Sequence, residues 1–132
     1  MVAITDISVR DARRLFLHRQ GLLRPNHFGR GRNAVSKAIR ALSYLQIDTI
    51  SVVERAHHHV MKTRVANYSA KLLNDLQIKD RQIFEYWAHA AAYLPLDEYR
   101  YCLPVMEGSR VKRKPDPKLA PEIMRRIRDE GP

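Results

Sequence analysis

A helical stripe that stops against two polar residues sets the first constraint on this chain. Val35, Ala38, Ile39, Leu42 and Leu45 recur at helical spacing, with Lys37, Arg40 and Tyr44 on the far side. An amphipathic helix of this kind has a face that other elements must cover. The stripe runs into residues 46–50, QIDTI, which are too short and too rich in β-branched residues for a helix and read as a brief strand. Strand side chains at i and i+2 project from one face, which sets Gln46 beside Asp48 with Ile47 turned opposite. An amide and a carboxylate thus share a joint between two helices.

Other elements follow from local signals. Ser8 with Asp11 reads as a helix start, Val9, Ala12, Leu15 and Phe16 as its apolar face, and Gly21 as its stop. After a loop at residues 24–33 comes the striped helix. Ser51 and Glu54 have capping-box spacing ahead of Val53, Ala56, Val60 and Met61, which predicts a helix from Ser51 to about Arg64. Ser69 caps another through Leu72, Leu73 and Leu76. QIFEYW (82–87) and AAAYLP (90–95) read as antiparallel strands turning near Ala88 and His89, with Tyr86, Trp87 and Tyr93 filling the buried face and Pro95 closing the hairpin. A helix from Leu96 to about Val111 is expected to kink or split at Pro104, and a last one covers Leu119 to Asp129. From residue 33 the order is helix, short strand, helix, helix, strand, turn, strand. The expected fold class is mainly α with a small β-hairpin, a winged helix-turn-helix domain.

Length and charge bound the partners. The 132 residues suffice for one domain or one domain with an appendage. Lys and Arg number 24 against 14 Asp and Glu, a net charge of +10, which draws in polyanions. Nine of these cations fall between Arg10 and Arg40 against the single acid Asp11, and a second cluster, SRVKRKPDPK, occupies residues 109–118. One reading is a solvated surface with a charged linker. The other is phosphate contact, for which Arg30, Arg32, Lys37, Arg40, Arg55, His89, Arg110, Lys112 and Arg113 are the candidates. The lone Cys102 excludes an internal disulfide and fits a reducing cytosol. No apolar run approaches the roughly 20 residues of a membrane span, and the N-terminus has no signal-peptide core. A cytoplasmic monomer that binds double-stranded DNA and no membrane is expected.

Few residues offer chemistry. His57, His58 and His59 are adjacent, and neighbouring helix positions point about 100° apart, so they cannot converge on one metal. Their expected role is structural or superficial, with no metal and no cofactor. The Gln46 and Asp48 pair reads in two ways. It is a polar edge in which Asp48 caps a helix or pairs with an arginine, or it is hydrolytic machinery. A carboxylate beside an amide can hold and polarise a water while its charge stabilises a cationic sugar, as the oxocarbenium-like route of glycosidic hydrolysis requires.

The stretches LQIDTISVVERAHHHV (45–60) and EYWAHAAAYLP (85–95) resemble the winged-helix DNA glycosylases of the AlkZ/YcaQ type, and the likeness covers most of residues 8–131. Those bacterial enzymes excise alkylated bases and unhook interstrand crosslinks. Their signature is Gln-hydrophobe-Gln in one branch and Gln-hydrophobe-Asp in the other, so Gln46, Ile47 and Asp48 resemble the YcaQ branch. The resemblance implies that Asp48 activates water and stabilises the sugar cation, that Gln46 orients the water or the deoxyribose, and that the segment around Tyr86, Trp87 and His89 is a wing hairpin near DNA. It further implies a monofunctional hydrolase that leaves an abasic site. Ala90 departs from the Glu that family members commonly carry after the equivalent of His89. The family is also longer and built of winged-helix modules in series. On this resemblance the chain is expected to be an N-terminal fragment, with residues 1–111 as the catalytic-type domain and 112–132 as a basic linker and helix toward a second module. The alternatives are a winged-helix regulator that reads DNA with the Ser69 helix and performs no chemistry, and an interaction domain whose basicity is incidental.

Overall fold

The computed structural model describes residues 6–48, 51–112 and 115–131. Thr49, Ile50 and Arg113 of the expectations above lie outside them. The striped helix forms as α2 (Gly31–Leu42), preceded by α1 (Val9–Arg19) and followed by the two-residue strand β1 (Leu45–Gln46). Next come α3 (Ala56–Lys62), α4 (Ala70–Ile78), β2 (Ile83–Trp87) and β3 (Ala91–Pro95). A 3₁₀ turn at Leu96–Glu98 leads to α5 (Tyr99–Lys112), and α6 (Leu119–Glu130) follows. The architecture is mainly helical with one small antiparallel sheet, in the order β1-β3-β2. Leu45 pairs with Tyr93 and Gln46 with Ala92, while β2 runs from Ile83 opposite Pro95 to Trp87 opposite Ala91.

The chain divides into two units, Met1–Tyr99 and Arg100–Pro132. In the first, the α2 stripe does what its spacing demands. Val35, Ala38 and Ile39 are fully enclosed with Met61 of α3, Val65, Leu76 of α4 and Leu45 of β1. Each such Val, Leu, Ile or Met side chain contributes roughly 1.5–3 kcal/mol on burial. Leu45 is therefore an anchor, and it fixes the depth at which the chain leaves the core toward Gln46. Around α1 the packing differs. Ser8 accepts a hydrogen bond from the Asp11 N–H at 3.1 Å, as an N-cap should. Yet the α1 stripe stays exposed, Phe16 at 64%. Gly21 ends that helix at φ +66°, where a Cβ would lie 2.5 Å from the Phe28 ring, so only glycine fits this turn.

Three local expectations are corrected. The third helix starts at Ala56, not Ser51, because no capping box closes. Glu54 instead accepts from the Arg55 N–H at 3.1 Å and pairs with Lys62 at 3.7 Å. Val52 and Val53, poor helix formers, are left exposed. Trp87 is 71% exposed rather than buried. It shares a strand face with Ile83, but the hairpin outreaches the core, so only the near end of that face is covered. Of the kink or split expected at Pro104, the split does not occur, since α5 runs unbroken from Tyr99 to Lys112. No α5 residue is buried, so the Arg100 carbonyl that loses its partner there can be hydrated.

In the second unit, α6 carries Leu119, Ile123, Met124 and Ile127 at helical spacing, all exposed.

Candidate active site

β1 hands the chain out of the core at the foot of a cavity of about 450 Å³, a size that suits a small ligand or one part of a larger one. One wall is a face of α3 and its exit: Ala56, His57, Val60 and Arg64, which follow one another at helical steps. The opposite wall is Leu42, Tyr44, Leu45, Gln46 and Asp48, and Gln20 completes the lining. Gln46 and Asp48 therefore line the same space. Pairing continues one step past β1, because the Ile47 N–H donates to the Ala91 carbonyl at 2.8 Å. That bond keeps the alternation that puts Gln46 and Asp48 together. Gln46 is exposed and Asp48 half-buried.

His57 is the residue sequence reading undervalued. Only 3% of it is exposed, and its Nδ1 accepts a long hydrogen bond, 3.4 Å, from the Asp48 N–H. Helical register singles it out from its two neighbours, since His57 and Met61 are the i, i+4 pair that α3 buries. His58 turns instead to Tyr68, Nδ1 to hydroxyl at 2.7 Å, and His59 stays exposed. Burial pushes the His57 pKa below the ordinary 6.5, and His58 and Arg55 push the same way against the weaker pull of Glu54 and Asp48. The Tyr93 ring of β3, 6.0 Å away between centroids, adds no charge. Neutral His57 can accept through Nδ1; protonated, it cannot.

A pH dependence follows. The unfolded chain takes up this proton near 6.5, whereas the folded chain takes it up only at lower pH. The unfolded state therefore binds more protons in that window, and stability falls as the solution is acidified below 6.5. Above 6.5 the contribution is fully present. His57→Asn, whose amide oxygen can accept without titrating, is expected to flatten this acid limb in thermal unfolding followed against pH. His58, also held low by burial, leaves a residual limb in both proteins. An undiminished limb in the variant would remove His57 from the account.

The cations proposed for DNA contact separate into groups. His89, at the exposed hairpin tip, lies edge-on to the cavity residue Tyr44, with centroids 5.0 Å apart. Arg55 immediately precedes Ala56 of the wall and is exposed. Arg30, Arg32, Lys37 and Arg40 do not line the cavity. Arg32 pairs with Asp80 at 2.8 Å, Arg40 pairs with Asp97, Lys37 is exposed on α2, and Arg30 sits at its N-cap. Arg110 and Lys112 belong to the end of α5. Among the described residues, no cluster of three or more His, Cys, Asp or Glu could hold a metal ion, and no helix is long and apolar enough to cross a membrane.

The family model described as DNA glycosylase AlkZ-like matches residues 39–132, a span that begins in the α2 stripe and includes Gln46, Asp48, His57 and Arg64. No solved structure matches the chain.

Proposed function

Since the chain belongs to the AlkZ-like DNA glycosylase family, we propose that it hydrolyses the N-glycosidic bond of alkylated bases in duplex DNA and unhooks interstrand crosslinks. The observation that carries this reading is that Asp48 and Gln46 line one cavity. Asp48 is the catalytic carboxylate and Gln46 the amide that orients water or deoxyribose. An alkylated purine is already cationic, so it departs without a strong general acid. The electron pair of the glycosidic bond leaves with the base and neutralises it, and positive charge develops on the sugar opposite Asp48. Water then bonds the anomeric carbon, giving up its proton to Asp48 and from there to solvent. The products are free base and an abasic site, with no covalent enzyme intermediate.

The frame for this site is a winged helix-turn-helix, with α2, α3 and α4 as its helices and β2–β3 as its wing. Both the element order and the pairing of β1 with β3 support that arrangement. Residues 1–111 make up the catalytic-type module and residues 112–132 a basic linker and helix. The protein works as a cytoplasmic monomer on double-stranded DNA. Arg55 and His89 contact DNA at the cavity rim, and Arg30, Arg32, Lys37, Arg40, Arg110, Lys112 and Arg113 supply further phosphate contacts. Because a crosslink ties the base to both strands, an open cavity suits it better than a closed base-flipping pocket.

A purely DNA-reading role has less support. Its reading helix would be α4, where Lys71 and Lys79 both bridge to Asp75 and Gln77 bonds to Glu85. The test is incubation with duplex carrying N7-alkylguanine or a nitrogen-mustard crosslink, followed by cleavage of abasic sites. Strand breaks that depend on the protein are expected; sequence-selective binding without base release would favour the regulator.

A further inference from the structure

Arg64 stands in the cavity wall just past α3 with only 7% of its surface exposed. Its Nε donates to the Gln20 carbonyl at 2.8 Å, and its Nη1 donates to the Val60 carbonyl and the Thr63 hydroxyl at 2.9 and 3.0 Å. Neutral acceptors thus hold one side of the guanidinium. No ion pair to Arg64 occurs among the described residues, nor does an acceptor for Nη2. Burial moves its pKa downward, with no carboxylate among the described residues pulling against it. A buried cation is costly without an anion, and the Nη2 amino group of an arginine is a charged donor suited to a phosphate oxygen.

Building on the glycosylase reading, we propose that Arg64 binds a phosphodiester of the damaged strand, beside the sugar that faces Asp48. The cavity then has a cation and an anion in separate walls. An alkylated nucleotide has the matching pattern, with positive charge on base and developing sugar and negative charge on the flanking phosphate. Arg64 is in this sense a positioning residue: it holds the strand so that the anomeric carbon lies against Asp48 and Gln46. Its bonds to Gln20, Val60 and Thr63 point the fork and remove the entropy cost of ordering it when DNA arrives.

The test uses the full chain and duplex DNA with a tetrahydrofuran abasic-site analogue, which holds no base to release. Binding is therefore read independently of glycosylase activity, which the abasic-site cleavage assay scores separately. Phosphates flanking the analogue are replaced one at a time by neutral methylphosphonates. At one position the wild type is expected to lose roughly tenfold to a hundredfold in affinity, while Arg64→Met, already weaker, loses almost nothing further. The salt slope of the variant should be shallower by about 0.9, the share of one phosphate. Equal phosphonate penalties in both proteins, or wild-type affinity and slope in Arg64→Met, would show that Arg64 only tethers the end of α3. If Arg64→Met does not fold, Arg64→Gln, which keeps hydrogen-bond donors but carries no charge, is read in the same way: a smaller penalty than wild type supports the contact, and an equal one overturns it.

Discussion

Asp48→Asn is expected to lower base release from N7-alkylguanine DNA by roughly 10²–10³-fold while duplex binding persists. Asparagine keeps the shape and an acceptor oxygen but removes the charge that opposes the sugar cation. A carboxylate that merely capped backbone would be replaced at little cost, because the amide oxygen could still accept. The two roles therefore separate cleanly in single-turnover rates. Gln46→Ala should show a smaller loss, since an orienting amide supplies geometry rather than charge. Wild-type turnover in Asp48→Asn would take the residue out of the mechanism and return the pair to a polar strand edge.

The second large effect is on stability and is centred on Ile39. This side chain is fully enclosed in the cluster that joins α2 to Leu45, Met61 and Leu76. Ile39→Ala is expected to cost about 2–5 kcal/mol, and Ile39→Val about 0.5–1.5 kcal/mol. A domain typically has only about 5–15 kcal/mol in total, so the alanine variant should move far down the urea axis. Activity should fall with the folded fraction and not ahead of it, because Ile39 does not line the cavity. A loss of base release at full occupancy of the folded state would mean instead that the core tunes the placement of Leu45, and through it Gln46. An alanine variant as stable as wild type would contradict the enclosed position of Ile39.

What could be foreseen from residues alone was whatever depends on near neighbours. The α2 stripe declared its buried face because its period is set within each turn of helix. Gln46 and Asp48 could be paired from their two-residue spacing for the same reason, and both do line one cavity. The weak strand former Ala92 was also placed correctly in β3, where it is wholly buried in the middle strand of the sheet. There, packing outweighs propensity. Over residues 51–55 a purely local signal misled, because Glu54 found a partner other than the one the capping box supposes.

Only the tertiary structure decided which histidine turns inward, which cation is buried and which aromatic is left in water. Arg64 meets Gln20 across 44 positions, Arg32 meets Asp80 across 48, and Arg40 meets Asp97 across 57. Nothing near those arginines in sequence distinguishes the buried one from the surface ones. The choice depends on where distant backbone carbonyls and carboxylates come to rest once the core has closed. Sequence periodicity thus determined the stripe and the pairing of Gln46 with Asp48, whereas burial, and with it the electrostatics of the cavity, was settled by contacts between segments far apart along the chain.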